Sequence, residues 1–209
     1  MSTASFEKNL NINLKLESDG KESKIFTGNI ETVSLNLHSY GHNCKVQFSG
    51  HNDDETDQLF QLPKVIKATL SFLPADPLDG TDPILEIKGI VTDKCFTRTS
   101  SNLGSENKPI RLYEIFFCDN LKATWQQHFP INIYVDKSMK EILDEHKNPE
   151  ISLEYKWDNL EKKHPITAFS LDYKDWLPEH QQVSFYSFLV WYLRKEEGLL
   201  LYDYEKNTH

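Results

Sequence analysis

The stretch Glu179-His180-Gln181-Gln182-Val183-Ser184-Phe185-Tyr186-Ser187-Phe188-Leu189-Val190-Trp191-Tyr192-Leu193-Arg194-Lys195-Glu196-Glu197-Gly198-Leu199-Leu200-Leu201-Tyr202-Asp203-Tyr204-Glu205 decides how the C-terminal part of the chain is read. It predicts one long helix over 179–197, a glycine stop and a final strand over 199–205. Pro178 suits the first turn of a helix, where a missing N–H costs nothing. Val183, Tyr186, Val190 and Leu193 recur at helical spacing, and Phe185, Leu189 and Trp191 widen the apolar face. So wide a face is to be buried, either against the body of the chain or against a neighbouring subunit. Gly198 is expected to take the left-handed conformation that ends a helix. Leu199 to Tyr204 has the length and the β-formers of a strand.

The whole chain of 209 residues has room for one large domain or two small ones. Hydrophobic residues make up 38% and aromatics 12%, enough for a true core and against gross disorder. A net charge of -9 argues against a general phosphate-binding surface, so no nucleic-acid partner is expected. No apolar run reaches the roughly 18 to 20 residues that cross a bilayer, so no membrane insertion is expected. The first residues lack the basic-then-apolar pattern of a secretory signal. Cys44, Cys95 and Cys118 are odd in number and far apart, which reads as reduced thiols.

Upstream, the pattern is β. Ile12, Leu14 and Leu16 alternate with polar residues, and Ser18-Asp19-Gly20-Lys21 is turn chemistry leading to a second strand near Lys24 to Thr27. Val33, Leu35 and Leu37 alternate, the pattern breaks at Tyr40-Gly41-His42-Asn43, and Val46 and Phe48 resume it. Further strands are expected over Val65–Leu73, from Leu85 to Thr92 and over Leu112–Phe117, with a polar loop from Thr97 to Lys108. About seven alternating strands with short connections point to an antiparallel barrel or sandwich. After Cys118 the texture changes to short helices and strands. Leu121–His128 reads as a short helix and Ile131–Val135 as a strand. Ser138-Met139-Lys140-Glu141 has the form of a capping box opening another helix. Ile151 to Trp157 alternates as a strand, and a further strand is expected over Ile166–Tyr173. The expected division is a β-barrel domain over 1–119 and an α+β portion over 120–209.

Few constellations suggest chemistry. His38, His42, Cys44 and His51 are zinc-type ligands within one short span, but no second spaced pair supplements them. Asp53, Asp54, Glu55 and Asp57 lack the calcium-loop pattern and read as a solvated acidic loop. Glu196 and Glu197 are adjacent on a helix and point about 100° apart, a poor geometry for paired catalytic carboxylates. Both also sit at the unfavourable end of the helix dipole, which suggests a salt bridge to another element or subunit. Trp157, Trp176, Phe185, Tyr186, Trp191 and Tyr192 read as core or interface rather than as a sugar platform. No nucleophile elbow, P-loop or zinc-protease motif occurs, so neither catalysis nor a cofactor is expected.

Leu193-Arg194-Lys195-Glu196-Glu197-Gly198-Leu199, followed by Tyr202 and Tyr204, resembles the R-L-x-x-E-E-G-I-x-Y-x-F signature of VgrG-type spike proteins of type VI secretion systems. Those proteins are similar to the baseplate hubs of contractile phage tails. The family arginine falls on Tyr192 when Gly198 is aligned, and the Glu-Ser-Asp that opens the family helix is missing. Gly89-Ile90-Val91-Thr92, Tyr113-Glu114-Ile115-Phe116-Phe117, Trp125 and Glu141-Ile142-Leu143 follow the family's order of elements, so the resemblance runs from about Lys67 to Glu205. It implies a mainly β (α+β) fold with a tail-tube-type barrel and a structural role in a contractile injection machine. It further implies homotrimeric assembly that links tube to needle, with tail-tube and baseplate proteins as partners. Assembly would take place in the bacterial cytoplasm, with delivery outside by the machine. Val183, Tyr186, Leu189, Val190, Leu193, Glu196, Glu197 and Gly198 are the expected assembly face. The alternative is a monomeric β-barrel module that binds a glycan or a peptide.

Overall fold

The computed structural model describes residues 10–51, 54–61, 63–75, 81–100, 109–168 and 183–209. The fold is mainly antiparallel β with a few short helices, and the chain divides into two compact units. One holds residues up to Leu37 together with His42–Cys118; the other holds the turn His38–Gly41 together with Asp119–His209.

The first unit is a seven-stranded sheet. Its strands are β1 (Asn11–Ser18), β2 (Lys21–Ile25), β3 (Ile30–His38), β4 (Gly41–His51), β5 (Lys67–Leu73), β6 (Leu85–Ser100) and β7 (Pro109–Cys118), in the order β2-β1-β5-β6-β7-β4-β3. The inward alternation follows the sequence: Leu14 and Leu16, Ala68 and Leu70, Val46 and Phe48, and Tyr113, Ile115 and Phe117 are buried. β1 and β2 join through Asp19-Gly20, both at positive φ (49° and 75°), the tight hairpin geometry that matches strand twist. This turn leaves no spacer, so β2 begins at Lys21 rather than near Lys24.

The two edge strands, β2 and β3, are consecutive in the chain and separated only by Phe26–Asn29. Five Cα steps reach about 18 Å at most. Six strand spacings in a flat sheet would separate the edges by about 29 Å. The sheet must therefore curl into a half-barrel. Among the described residues no ladder closes β2 onto β3.

Helix α1 (Asp54–Gln61) stands where the sequence suggested an acidic loop. Thr56, Leu59 and Phe60, spaced three and four apart, are buried, and acidic residues favour the positive N-terminal end of a helix. Phe60 packs edge-on against Phe48 of β4 and Tyr113 of β7, while Thr56 bonds Ser23 of β2 at 2.6 Å. One short helix thus reaches the edge strand β2 and, from the far side of the sheet order, β4 next to the other edge, as the curl requires. Asp57 is not solvated: it accepts from the Tyr113 hydroxyl at 2.6 Å and pairs with Arg111.

The second unit contains α2 (Asn120–Trp125), β8 (Ile133–Ser138), α3 (Met139–His146), β9 (Lys163–Ala168) and α4 (Phe185–Lys195). The capping box is present: Ser138 accepts from the Glu141 N–H, and Glu141 accepts from the Ser138 N–H. Trp125, Tyr134, Met139, Ile142, Leu143, Phe185, Phe188 and Leu189 form the core. The stretch from Ile151 to Trp157 is not a regular strand. It is tied to the end of the chain by two backbone bonds, Glu154 N–H to the His209 carbonyl at 2.7 Å and His209 N–H to the Ser152 carbonyl at 3.1 Å, and by the Thr208 hydroxyl donating to that of Ser152 at 2.7 Å. The final strand expected over 199–205 is also not formed; only an isolated bridge, Asp203 to Thr208, occurs there. The strand expected over Ile166–Tyr173 is present in part as β9, which begins earlier, at Lys163; residues 169–182 lie outside the described ones. The helix expected over 179–197 is shorter: it starts at Phe185, where Ser184 caps it, and ends at Lys195.

Candidate functional site

The family-like signature lies at the end of α4. Ser184 caps the helix by accepting from the Ser187 N–H at 3.2 Å, and the Phe185 N–H donates to the His128 carbonyl at 2.8 Å. Phe185, Phe188, Leu189, Tyr192 and Leu193 are buried in the unit's own core, with Val183, Tyr186, Val190 and Trp191 partly covered around them. Of the expected assembly face, then, Leu189 and Leu193 point into the subunit itself. Phe185 lies against Trp125, at 4.7 Å between ring centroids, and against the imidazoles of His146 and His128.

The stop differs from the sequence reading. Glu197, not Gly198, takes the left-handed conformation, at φ 59°. The Gly198 N–H donates to the Leu193 carbonyl at 2.7 Å, closing the last turn as a Schellman motif. Gly198 is needed for space: a Cβ there would fall 2.6 Å from the Trp157 ring and 2.8 Å from a Leu193 methyl. Among the described residues neither Glu196 nor Glu197 forms an ion pair, while Arg194 and Lys195 supply the positive charge that suits a helix C-terminus.

Tyr202 and Tyr204, the aromatic end of the signature, hold the turn His38–Gly41. The Tyr202 N–H donates to the Ser39 carbonyl at 2.8 Å. The Tyr204 hydroxyl meets the carbonyls of His38 (2.8 Å) and Gly41 (2.6 Å). Beneath them Asp119 caps α2 by accepting from the Lys122 N–H at 2.8 Å. The buried His209 ring lies 3.5 Å from the Asp119 carboxylate. Burial holds the His209 imidazole below its usual value, against the opposing pull of Asp119. Sequence reasoning found the two tyrosines but not what they grip, because the turn lies more than 160 residues upstream.

The zinc-type residues do not converge. His42 and Cys44 are buried on one face of β4, and burial pushes the Cys44 thiol up to about 12. His38 stacks on Tyr40, and the His51 side chain is outside the described residues. Among the described residues no group of three potential ligands is placed to hold a metal. No helix among them is long and apolar enough to cross a membrane. Cys44, Cys95 and Cys118 are free thiols.

No protein-family model and no curated protein matches the sequence. Solved structures do match in shape. A chain of the half-lidded Francisella PdpA–VgrG complex superposes with a TM-score of 0.65 at 19% identity, over 91% of this chain and 28% of that one. The lidless PdpA–VgrG complex gives 0.66 at 19% identity, over 90% and 32%. The lidded Francisella complex gives 0.62 at 17% identity, over 90% and 26%. The present chain spans under a third of each of these three chains, and at this identity what the proteins have in common is a fold.

Proposed function

We propose that the chain is a structural segment of a contractile injection machine, similar to the hub region of a VgrG-type spike. The reading is supported by one coincidence: a fold likeness over nine-tenths of the chain meets a sequence signature whose residues have clear structural jobs. In this role the protein turns over no substrate. It assembles as a homotrimer with tail-tube and baseplate proteins, in the bacterial cytoplasm, and is carried outward when the machine fires. A half-barrel whose two edge strands take no further ladder among the described residues is suited to ring formation, since a closed ring satisfies open edges.

Light scattering on the full-length protein tests the reading. A mass of three protomers, with co-purification of the tail-tube protein of the same machine, is the expected result. A monomer under all conditions, with no tail-tube partner retained, overturns it.

A further inference from the structure

A line of hydrogen bonds runs beneath the start of α4. The Tyr134 hydroxyl meets Nε2 of His146 at 2.5 Å, and Nδ1 of His146 meets Nε2 of His128 at 2.7 Å. Phe185, the first residue of α4, closes over both rings, with its centroid 4.4 Å from that of His146 and 5.8 Å from that of His128. Its N–H donates to the His128 carbonyl, so the same two residues hold the helix start by ring and by backbone. Among the described residues, the other titratable groups around the pair are Tyr134 and Lys137 of β8 and Glu145 of α3. From α2 comes the Trp125 indole, which donates to the His146 carbonyl, and from α4 the apolar Phe185.

Counting protons shows how much charge this arrangement can take. In the neutral network one proton lies between the rings. A first added proton is accommodated: Nε2–H of His146 donates to Tyr134, and the Tyr134 proton turns to Glu145, 3.4 Å away. The charge also suits the site, since His146 lies in the last turn of α3, at the negative end of that helix. A second added proton finds only Nε2 of His128, which then faces Nδ1–H of His146, donor against donor. The second charge also lies at the positive end of α4. We propose that the His128–His146 pair is an acid-operated latch: when both rings are charged they part, and the first turn of α4 is released while the rest of the helix keeps its place. Phe188, Leu189, Tyr192 and Leu193 stay buried beyond that turn, and the Gly198 bond to Leu193 closes the far end. Burial, and then the His128 charge, hold His146 below its usual value, so the closed form is kept at neutral pH and lost as pH falls.

The test is hydrogen exchange on the full-length protein, read residue by residue from about pH 8 to about pH 5, across the ordinary histidine value, and corrected for the intrinsic pH dependence of exchange. Protection at Phe185, Ser187 and Phe188 should fall by about tenfold per pH unit on the acid side, as linkage to one further proton requires, while protection at Gly198 holds. His128→Gln keeps an acceptor for His146 but takes no proton, and should leave Phe185 protection flat with pH. Glu145→Gln removes the charge that balances the first added proton, so release should begin at higher pH. Phe185 protection that is flat in the wild type, that falls together with Gly198 as the whole unit unfolds, or that falls equally in folded His128→Gln overturns the latch. If His128→Gln does not fold, Glu145→Gln decides: a release pH that is unmoved or lowered overturns it.

Discussion

His128 and His146 share a hydrogen bond, Nε2 to Nδ1, at 2.7 Å, and the far nitrogen of His146 meets the Tyr134 hydroxyl at 2.5 Å. Tyr134 in turn accepts from Asn132 at 2.9 Å and reaches Glu145, which pairs with Lys137. Phe185 at the start of α4 rests on both imidazoles. One proton fits between the two rings; a second leaves two donors facing each other.

A pH dependence follows. Burial, and then the neighbouring charge of His128, hold His146 below its usual value; Glu145 opposes this and Lys137 adds to it. A depressed histidine contributes stability that is full above its unfolded value of about 6.5 and lost as pH falls through its folded value. His209, also depressed by burial, acts in the same direction. Thermal unfolding followed from about pH 8 to pH 5 should show Tm falling below about pH 6.5, and His146→Gln should flatten much of that slope. A Tm that holds steady or rises on acidification would refute the account. The depressed carboxylates Glu141, Glu145 and Asp203 act at lower pH and do not confuse the window.

The two residues at the stop of α4 should respond in opposite directions. Gly198→Ala places a methyl against Trp157 and Leu193, an overpacking cost of about 1 to 3 kcal/mol. Glu197→Gly relieves a left-handed non-glycine residue and should be neutral or stabilising by up to about 1 kcal/mol. Urea midpoints measure both. If Glu197→Gly destabilises and Gly198→Ala does not, the assignment of roles is reversed.

Much of the sheet could be read from the sequence because burial and strand period coincide. Leu14 and Leu16, or Val46 and Phe48, face inward by simple alternation. The reading failed where something other than burial sets the structure. β6 continues through the mostly exposed residues Asp93 to Thr97 because its ladder with β7 holds it, not a hydrophobic face. α1 was missed because its acidic residues look like a loop, although Thr56, Leu59 and Phe60 carry a helical spacing. The apolar residues Leu199 and Leu201 suggested a strand, yet they are exposed and the segment is held instead by its tyrosines. In α4 the apolar face was identified, but periodicity alone cannot say whether Leu189 and Leu193 meet a neighbour or their own subunit.

The hydroxyl of Tyr204 should make a measurable contribution to holding this end of the chain. Its single proton is shared between the His38 and Gly41 carbonyls, and its oxygen accepts from the His38 N–H at 3.1 Å. Tyr204→Phe removes these bonds while keeping the shape, at a cost of about 1 to 2 kcal/mol. Hydrogen exchange would register it as faster exchange at Tyr202 and His209, whose N–H groups bond Ser39 and Ser152. Unchanged protection at both would mean that the tail is held elsewhere.

Gly41 has no room for a side chain. Its φ of 131° is one that L side chains rarely adopt, and an added Cβ would fall 2.3 Å from the Asp119 carboxylate. Gly41→Ala must therefore strain the turn and displace the cap of α2 together. The two effects come to roughly 2 to 4 kcal/mol. Asp119→Ala separates them: it removes the clash and the cap, so the double variant Gly41→Ala/Asp119→Ala should cost less than the sum of the single ones. A double-mutant cycle by urea denaturation measures this coupling. Strict additivity would show that the carboxylate does not constrain the turn.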